Sequence, residues 1–154
     1  MPIYGSMYIG HSKKLEWALR DFITSIGETY YDEELDKGIL KSYLKLDNGI
    51  YVKQKVHIRK KDYICYTILS CHINSEDKKV VGRYIQMANA INLEIDYGHF
   101  EVNFRTGDIL FKSYYEPDDK VSDRGFFKLL VDPRRMINKF GRCFLLLSKD
   151  ELGI

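Results

Sequence analysis

The fold is decided by residues 40–59, which read LKSYLKLDNGIYVKQKVHIR. On both sides of Asp47-Asn48-Gly49, apolar residues alternate with polar ones at a period of two, the pattern of half-buried strands. A two-residue loop would place Leu46 opposite Tyr51 and mix the two rows. A three-residue loop places Leu46 opposite Ile50, so that the apolar faces of both strands agree. We therefore predict a hairpin whose type I turn leaves Gly49 left-handed and forms a bulge.

The polar row of this hairpin is basic and aromatic. Its members would share one surface, a candidate partner-binding face that we call the basic face: Lys41, Tyr43, Lys45, Tyr51, Lys53, Lys55, His57 and Arg59. Three interpretations remain open. The lysines would attract an acidic protein segment, the tyrosines could stack on single-stranded nucleic acid, and the same alternation suits any half-solvated strand.

Periodicity predicts further elements around the hairpin. A first helix begins after Ser12, which can cap it, and ends at Gly27. The stretch from Glu28 to Lys37 is acidic enough to be a solvated loop. The segment from Tyr63 to Ile73 is apolar on both faces, which is typical of a central strand or of one with a covered outer face. A second helix opens at Ser75, where two acidic residues follow and complement the helix start.

A second hairpin turns at Thr106-Gly107. A two-residue loop places Val102 opposite Phe111 on the apolar face. The same register places Glu101 opposite Lys112 on the other face, and an opposite-charge pair of this kind stabilises a register. We therefore predict a two-residue loop.

The last third of the chain returns to helical spacing. Ser122 can cap a short helix, and Asp132-Pro133 is typical of the start of another. The segment from Arg142 to Leu147 favours helix, although a short apolar run is also compatible with a buried strand. We predict an α+β fold, an antiparallel sheet of about five strands with helices packed mainly on one face (order α-βββ-α-ββ-αα), in a single domain over residues 1–154.

Composition excludes several classes of protein. The 154 residues include 24 Lys and Arg against 22 Asp and Glu, a net charge of +2, which excludes a protein that holds nucleic acid by bulk charge. The 12 Tyr and 8 Phe exclude a disordered chain. Three cysteines, an odd and low number, favour a reducing compartment. With no signal sequence and no apolar run of about 20 residues, we expect a cytoplasmic protein without a membrane partner.

No pattern in the chain indicates catalysis. Cys65 and Cys71 share a face of a predicted strand and are typical of small core residues. Adjacent Cys71 and His72 point to opposite faces, so they cannot easily bind one metal ion. Neither a Gly-x-Ser-x-Gly elbow nor a phosphate-binding glycine motif occurs. We therefore predict no catalytic residue, cofactor or metal, with an enzyme of unrecognised site as an alternative.

One part of the chain resembles a known family. The stretch Ala88-Asn89-Ala90-Ile91-Asn92, followed by Phe100-Glu101-Val102 and the turn Arg105-Thr106-Gly107-Asp108-Ile109, resembles the YbjN-domain family, as does the order of elements from about Leu15 to Leu147. Members are described as bacterial sensory-transduction regulators without established catalytic residues. The resemblance implies a fold similar to that of type III secretion chaperones, small α+β proteins that dimerise and bind extended segments of other proteins.

These observations favour a non-enzymatic protein-binding module, chaperone-like or regulatory, that forms a homodimer and binds an unknown protein partner. Single-stranded nucleic-acid binding through the basic face is the second hypothesis.

Overall fold

The computed structural model describes residues 10–151, and the side chains of residues 10–147. The expected absence of a signal sequence concerns residues 1–9, which lie outside this range. The elements are α1 (Lys13–Ser25), a 3-10 turn (Leu35–Lys37), β1 (Ile39–Lys45), β2 (Tyr51–Ile58), β3 (Tyr63–Ser70), α2 (Lys78–Asn92), β4 (His99–Asn103), β5 (Asp108–Tyr115), α3 (Asp123–Phe126), a π-helical turn (Phe127–Val131) and α4 (Asp132–Glu151). The strands form one antiparallel sheet in the order β1-β2-β3-β5-β4, so the doubly apolar strand is central.

The register of the first hairpin is confirmed. Leu44 pairs with Val52, and the Leu46 amide donates to the Ile50 carbonyl at 2.8 Å. Gly49 has a φ of 86°, in the left-handed region. The apolar rows of β1 and β2 therefore lie on one side of the sheet.

The predicted register of the second hairpin is wrong by two residues. Phe100 pairs with Phe111 and Val102 with Ile109, so the loop has four residues instead of two. A shift of two keeps the same side chains on the same face, and apolar alternation cannot detect it. The Asn103 side chain decides the turn, because its oxygen accepts hydrogen bonds from the amides of residues 105 and 106 at 3.1 and 3.3 Å.

All the helices pack on one side of the sheet, which we call the covered face. Alternate residues of each strand point into this layer and form two adjoining cores. The core beneath α2 and α4 includes Val52, Leu69, Phe100, Ile109, Phe111, Tyr84 and Phe144. The core beneath α1 and the π-helical turn includes Leu40, Val56, Tyr63, Cys65, Leu19, Phe126 and Leu129.

The helix starts show which polar side chains act as caps. The Ser12 hydroxyl accepts a hydrogen bond from the Leu15 amide at 3.1 Å, which confirms the predicted cap of α1. The cap of α2 is Asp77, two residues later than the predicted Ser75. Asn74 explains the difference, since its side chain binds the amide of residue 76 at 3.1 Å and holds Ser75 in a turn.

The carboxy-terminal region is helical from residue 123 to residue 151, and it includes Arg142 to Leu147. Ser122 caps its start, as predicted. The predicted start at Asp132-Pro133 coincides with the first residue of α4, but Asp132 is itself helical and follows the π-helical turn without a break, so it does not act as an N-cap.

Pro133 sits inside this continuous helix because the sheet replaces the hydrogen bond that proline cannot make. Proline has no amide hydrogen to offer the carbonyl of Leu129, four residues earlier. The Ser113 hydroxyl of β5 donates to that carbonyl instead, at 2.8 Å. Beside it, the Gln54 side chain of β2 donates to the Leu130 carbonyl at 2.8 Å. Buried polar residues of the covered face thus hold the π-helical turn against the sheet.

Candidate interaction face

The opposite side of the sheet is covered by none of the described helices, and we call it the open face. Its residues alternate with those of the covered face, and none belongs to either core. From one edge to the other they are Ile39, Lys41, Tyr43 and Lys45 on β1; Tyr51, Lys53, Lys55 and His57 on β2; Ile64, Tyr66, Ile68 and Ser70 on β3; Asp108, Leu110, Lys112 and Tyr114 on β5; and His99, Glu101 and Asn103 on β4.

The structure places seven of the eight residues of the basic face on this surface. Lys41 lies directly opposite Lys55, Tyr43 opposite Lys53, and Lys45 opposite Tyr51, with His57 at the end of β2. Arg59 lies beyond the end of β2. Its guanidinium makes two hydrogen bonds of 2.6 Å to the carboxylate of Asp62, so this cation is paired within the chain.

Lys41 is also occupied, by a segment that the sequence predicted to be a solvated loop. The Glu34 carboxylate binds the Lys41 ammonium group, and Glu33 lies 3.9 Å from it. The hydrogen bond from Lys41 lowers the pKa of Glu34. The backbones of Tyr31 and Lys41 exchange hydrogen bonds of 2.8 and 3.2 Å. The acidic segment therefore lies along the outer edge of β1 and neutralises one corner of the basic face.

An apolar strip runs beside the lysines. The sequence indicated an apolar outer face for β3 but not that it would join the basic face and Leu110 in one surface. The strip consists of Ile64, Ile68 and Leu110, with the Tyr66 ring between the two isoleucines along β3 and with Leu110 only 9% exposed. Ile68 lies between Lys53 and Leu110 in the register. The apolar outer residues of β3 were the available signal, but placing β5 beside β3 required the tertiary structure.

Tyrosine rings lie beside two of the lysines on the open face. Lys45 lies 5.6 Å from the centre of the Tyr51 ring, which is 70% exposed. Lys112 lies 5.6 Å from the Tyr66 ring and 5.5 Å from that of Tyr114. Such distances allow cation–π attraction. The hydrogen bond with Tyr114 also raises the pKa of Lys112, which keeps it charged.

The middle of β2 has an unbalanced positive charge. No carboxylate of the described residues forms a salt bridge with Lys53 or Lys55. Burial lowers the pKa of Lys55; the charge of Glu34 raises it in part, and the neighbouring Lys53 and Lys41 lower it. Burial and then Lys55 lower the pKa of His57, so this imidazole is neutral at neutral pH. A carboxylate arriving at Lys53 and Lys55 would relieve this repulsion.

A groove of about 610 Å³ lies where the open face meets the ends of β1, β2 and β3. Its walls include Tyr43, Lys45, Tyr51, Lys53 and Ile68. Charged and apolar side chains therefore line one concave surface.

Both edges of the sheet are occupied by other parts of the chain. At β1, the backbone of Tyr31 occupies the edge at Lys41. At β4, the Asn92 side chain accepts from the Phe100 amide at 2.7 Å and donates to the Phe100 carbonyl at 2.9 Å. Asn92 belongs to the segment that carries the family resemblance. Its carboxamide imitates a neighbouring strand, and edges protected in this way resist strand addition.

The groups considered for chemistry lie in the covered layer. Cys65 and Cys71 are buried, and burial raises the pKa of each thiol to about 12, which keeps both protonated at neutral pH. Across the described part of the chain, no group of His, Cys, Asp and Glu is arranged to hold a metal ion. Within the same residues, no helix has the length and hydropathy needed to cross a bilayer.

Neither a protein-family model nor a curated protein matches this chain. Among solved structures, it is similar to the crystal structure of YbjN from E. coli, "a putative transcription regulator". The TM-score is 0.63, and the match covers 88% of this chain and 93% of YbjN at 10% sequence identity. This is the YbjN fold. The predicted fold class is confirmed, and at this identity the likeness to YbjN shows the fold alone.

Proposed function

We propose that this chain is a non-enzymatic protein-binding module, chaperone-like or regulatory, that acts in the cytoplasm through its open face. One observation carries the proposal: Ile64, Ile68 and Leu110 form an apolar strip on a sheet face that no described helix covers. Lysines and tyrosines border the strip. Apolar patches with polar rims are typical of interaction sites, and the description of YbjN as a regulator agrees with a binding role.

The partner docks on the face of the sheet instead of adding a strand to its edge. Tyr31 occupies the β1 edge at Lys41, and Asn92 occupies the β4 edge at Phe100. An added strand would have to displace these groups, whereas the open face is accessible without rearrangement.

Photo-crosslinking tests this proposal. The residue p-benzoylphenylalanine replaces Tyr66 at the centre of the open face, or, as a control, Asp21 on the exposed side of α1. We expect irradiation of cells to attach another polypeptide at position 66 and not at position 21. Absence of an adduct at 66, or the same adducts at both positions, would contradict the proposal.

We also propose that the module is a homodimer, as the resemblance to type III secretion chaperones implies. Sedimentation velocity over a range of protein concentrations measures the oligomeric state. A monomer at every concentration would contradict this part of the proposal.

Single-stranded nucleic acid is the second candidate partner, favoured by the exposed Tyr51 ring beside Lys45. Bases can stack on such rings while lysines contact phosphates. Oligo-dT binding should then weaken with added salt and in the K53E/K55E variant. Unchanged affinity in that variant would dismiss this candidate.

A further inference from the structure

The chemistry of the open face specifies what kind of segment it can hold, given the proposed function on which this inference rests. Lys53 and Lys55 lie two residues apart on β2, which separates them by about 7 Å along the strand. Carboxylates at alternate positions of an extended segment have the same spacing. The lysines have no salt-bridge partner among the described residues, so such carboxylates would meet unbalanced positive charge.

The neighbours of this row on β3 are apolar or aromatic. Lys53 faces Ile68, which faces Leu110, whereas Lys55 faces Tyr66, which faces Lys112. A segment lying along β2 and β3 therefore has cations on one side and the Ile68 side chain and Tyr66 ring on the other. The groove beside Tyr51 and Ile68, about 610 Å³ in volume, has room for its apolar side chains.

The chain itself shows how an acidic segment binds here. Its own residues 31–34 run beside β1, where the Glu34 carboxylate binds Lys41 and Glu33 lies 3.9 Å away. The ion pair itself is made with Lys41, and the charge of Glu34 also acts on Lys55. Neither Lys53 nor Lys55 has a salt bridge to a carboxylate of the described residues, so both can take one from another molecule.

Nucleic acid fits the apolar strip less well than a peptide does. Ile68 and Leu110 offer no ring on which a base could stack. The Tyr66 ring already makes an edge contact with His57 at 5.2 Å, and the Tyr43 ring makes one with Tyr31 at 5.3 Å.

We propose that the open face binds an extended protein segment in which acidic residues alternate with large apolar ones. Its carboxylates lie on Lys53 and Lys55, and its apolar side chains lie on Ile68 and Leu110. Charge sets the orientation of the segment across the sheet, and the apolar strip supplies the buried area.

Fluorescence anisotropy with a labelled hexapeptide of alternating glutamate and leucine tests the proposal on the full chain. A second peptide has lysine in place of each glutamate, and a third has serine in place of each leucine. The K53E/K55E variant replaces the two lysines in the middle of β2 with glutamates and so reverses the sign of their charge. The matched control, K78E/K79E, makes the same change of net charge at exposed positions of α2, in the other layer.

We expect the glutamate–leucine peptide to bind the wild-type chain at least about tenfold more tightly than either of the other peptides. K53E/K55E should lose at least about tenfold in affinity, whereas K78E/K79E should stay within about twofold of the wild type. Glu34→Gln should strengthen binding about two- to threefold, because it releases Lys41 from its internal partner.

If K53E/K55E and K78E/K79E bound the glutamate–leucine peptide with equal affinity, the inference would be overturned. The same holds if the wild-type chain bound the lysine peptide as tightly as the glutamate–leucine peptide. Tighter binding of oligo-dT than of the peptide, with the same loss in K53E/K55E, would overturn it in favour of nucleic acid. Crosslinks from position 66 only to a second copy of the chain would overturn it in favour of self-association. A protein adduct at position 66 without peptide binding would leave the proposed function standing and refute only this choice of segment.

Discussion

The two faces of the sheet are built from the same five strands, yet they differ in how completely their side chains are paired. On the covered face, three buried polar side chains that we call the polar belt, Gln54, Thr67 and Ser113, are all hydrogen-bonded. Gln54 binds Thr67 at 2.9 Å and the Leu130 carbonyl at 2.8 Å, and Ser113 binds the Leu129 carbonyl. On the open face, Lys53 and Lys55 lack a described carboxylate partner, and Ile68 lies beside them. The difference teaches that polar pairing is completed on the face that forms the core and left incomplete on the open face, the surface that we propose for a partner.

Adjacent residues of β3 give the largest test of this comparison. Leu69 is 2% exposed on the covered face, while its neighbour Ile68 lies on the open face. We expect Leu69→Ala to lower the free energy of unfolding by about 2–5 kcal/mol, because it leaves a cavity. Ile68→Ala should cost about 1 kcal/mol or less. Urea unfolding measures both, and equal losses would mean that the open face is part of the core.

The next test concerns the polar belt. Ser113→Ala removes the donor to the Leu129 carbonyl and should cost about 1–3 kcal/mol, since Pro133 cannot replace it. Pro133→Ala restores an amide hydrogen four residues after Leu129. In the Ser113→Ala background it should therefore recover part of the lost stability. A double-mutant cycle measures the coupling, and strictly additive effects would show that the two sites do not share this carbonyl.

A smaller, pH-dependent effect should come from His57 on the open face. Burial, and then Lys55, lower its pKa below the ordinary value of 6.5, so the unfolded chain takes up this proton first as the pH falls. The contribution to stability is therefore present above about pH 6.5 and is lost as the pH falls toward the folded pKa. The free energy of unfolding should fall more steeply below pH 6.5 in the wild type than in His57→Gln. Parallel pH profiles would show that His57 is as solvated as in the unfolded chain.

The smallest expected effect on stability is that of Glu34→Gln. Its ion pair with Lys41 is partly solvated, so its loss should change the free energy of unfolding by no more than about 0.5 kcal/mol. A loss above about 1 kcal/mol would show that the acidic segment helps to hold β1 in the sheet. A change in peptide affinity without a change in stability would separate binding from folding at this corner.

The two hairpins show where sequence reasoning succeeds and fails. At Leu46 and Ile50, a slip of one residue would turn an entire row to the wrong face, so the pattern selects a single register. At Val102 and Ile109, the competing registers differ by two and bury the same row. Ring packing between Phe100 and Phe111, 4.9 Å apart, and the Asn103 turn favour the observed one.

For a related reason, the sequence predicted the β1 and β2 residues of the candidate site but not the part formed by β3 and β5. Alternation placed the β1 and β2 residues on one surface, because strands joined by a short turn must be neighbours. Ile68 and Leu110 belong to strands that are 40 or so residues apart and meet only after α2 crosses between them. The contact between Glu34 and Lys41 likewise depends on where the acidic segment passes the sheet edge.

By itself, the sequence determined the kind and order of the elements, the inward row of each strand and the α1 cap, because these depend on local periodicity and on side chains a few residues apart. Only the tertiary structure decided that β3 and β5 are neighbours, which lysines are neutralised within the chain and how the helix accommodates Pro133. Those outcomes depend on hydrogen bonds and charges between segments that are distant in the chain, and their energies appear only when the layers pack together.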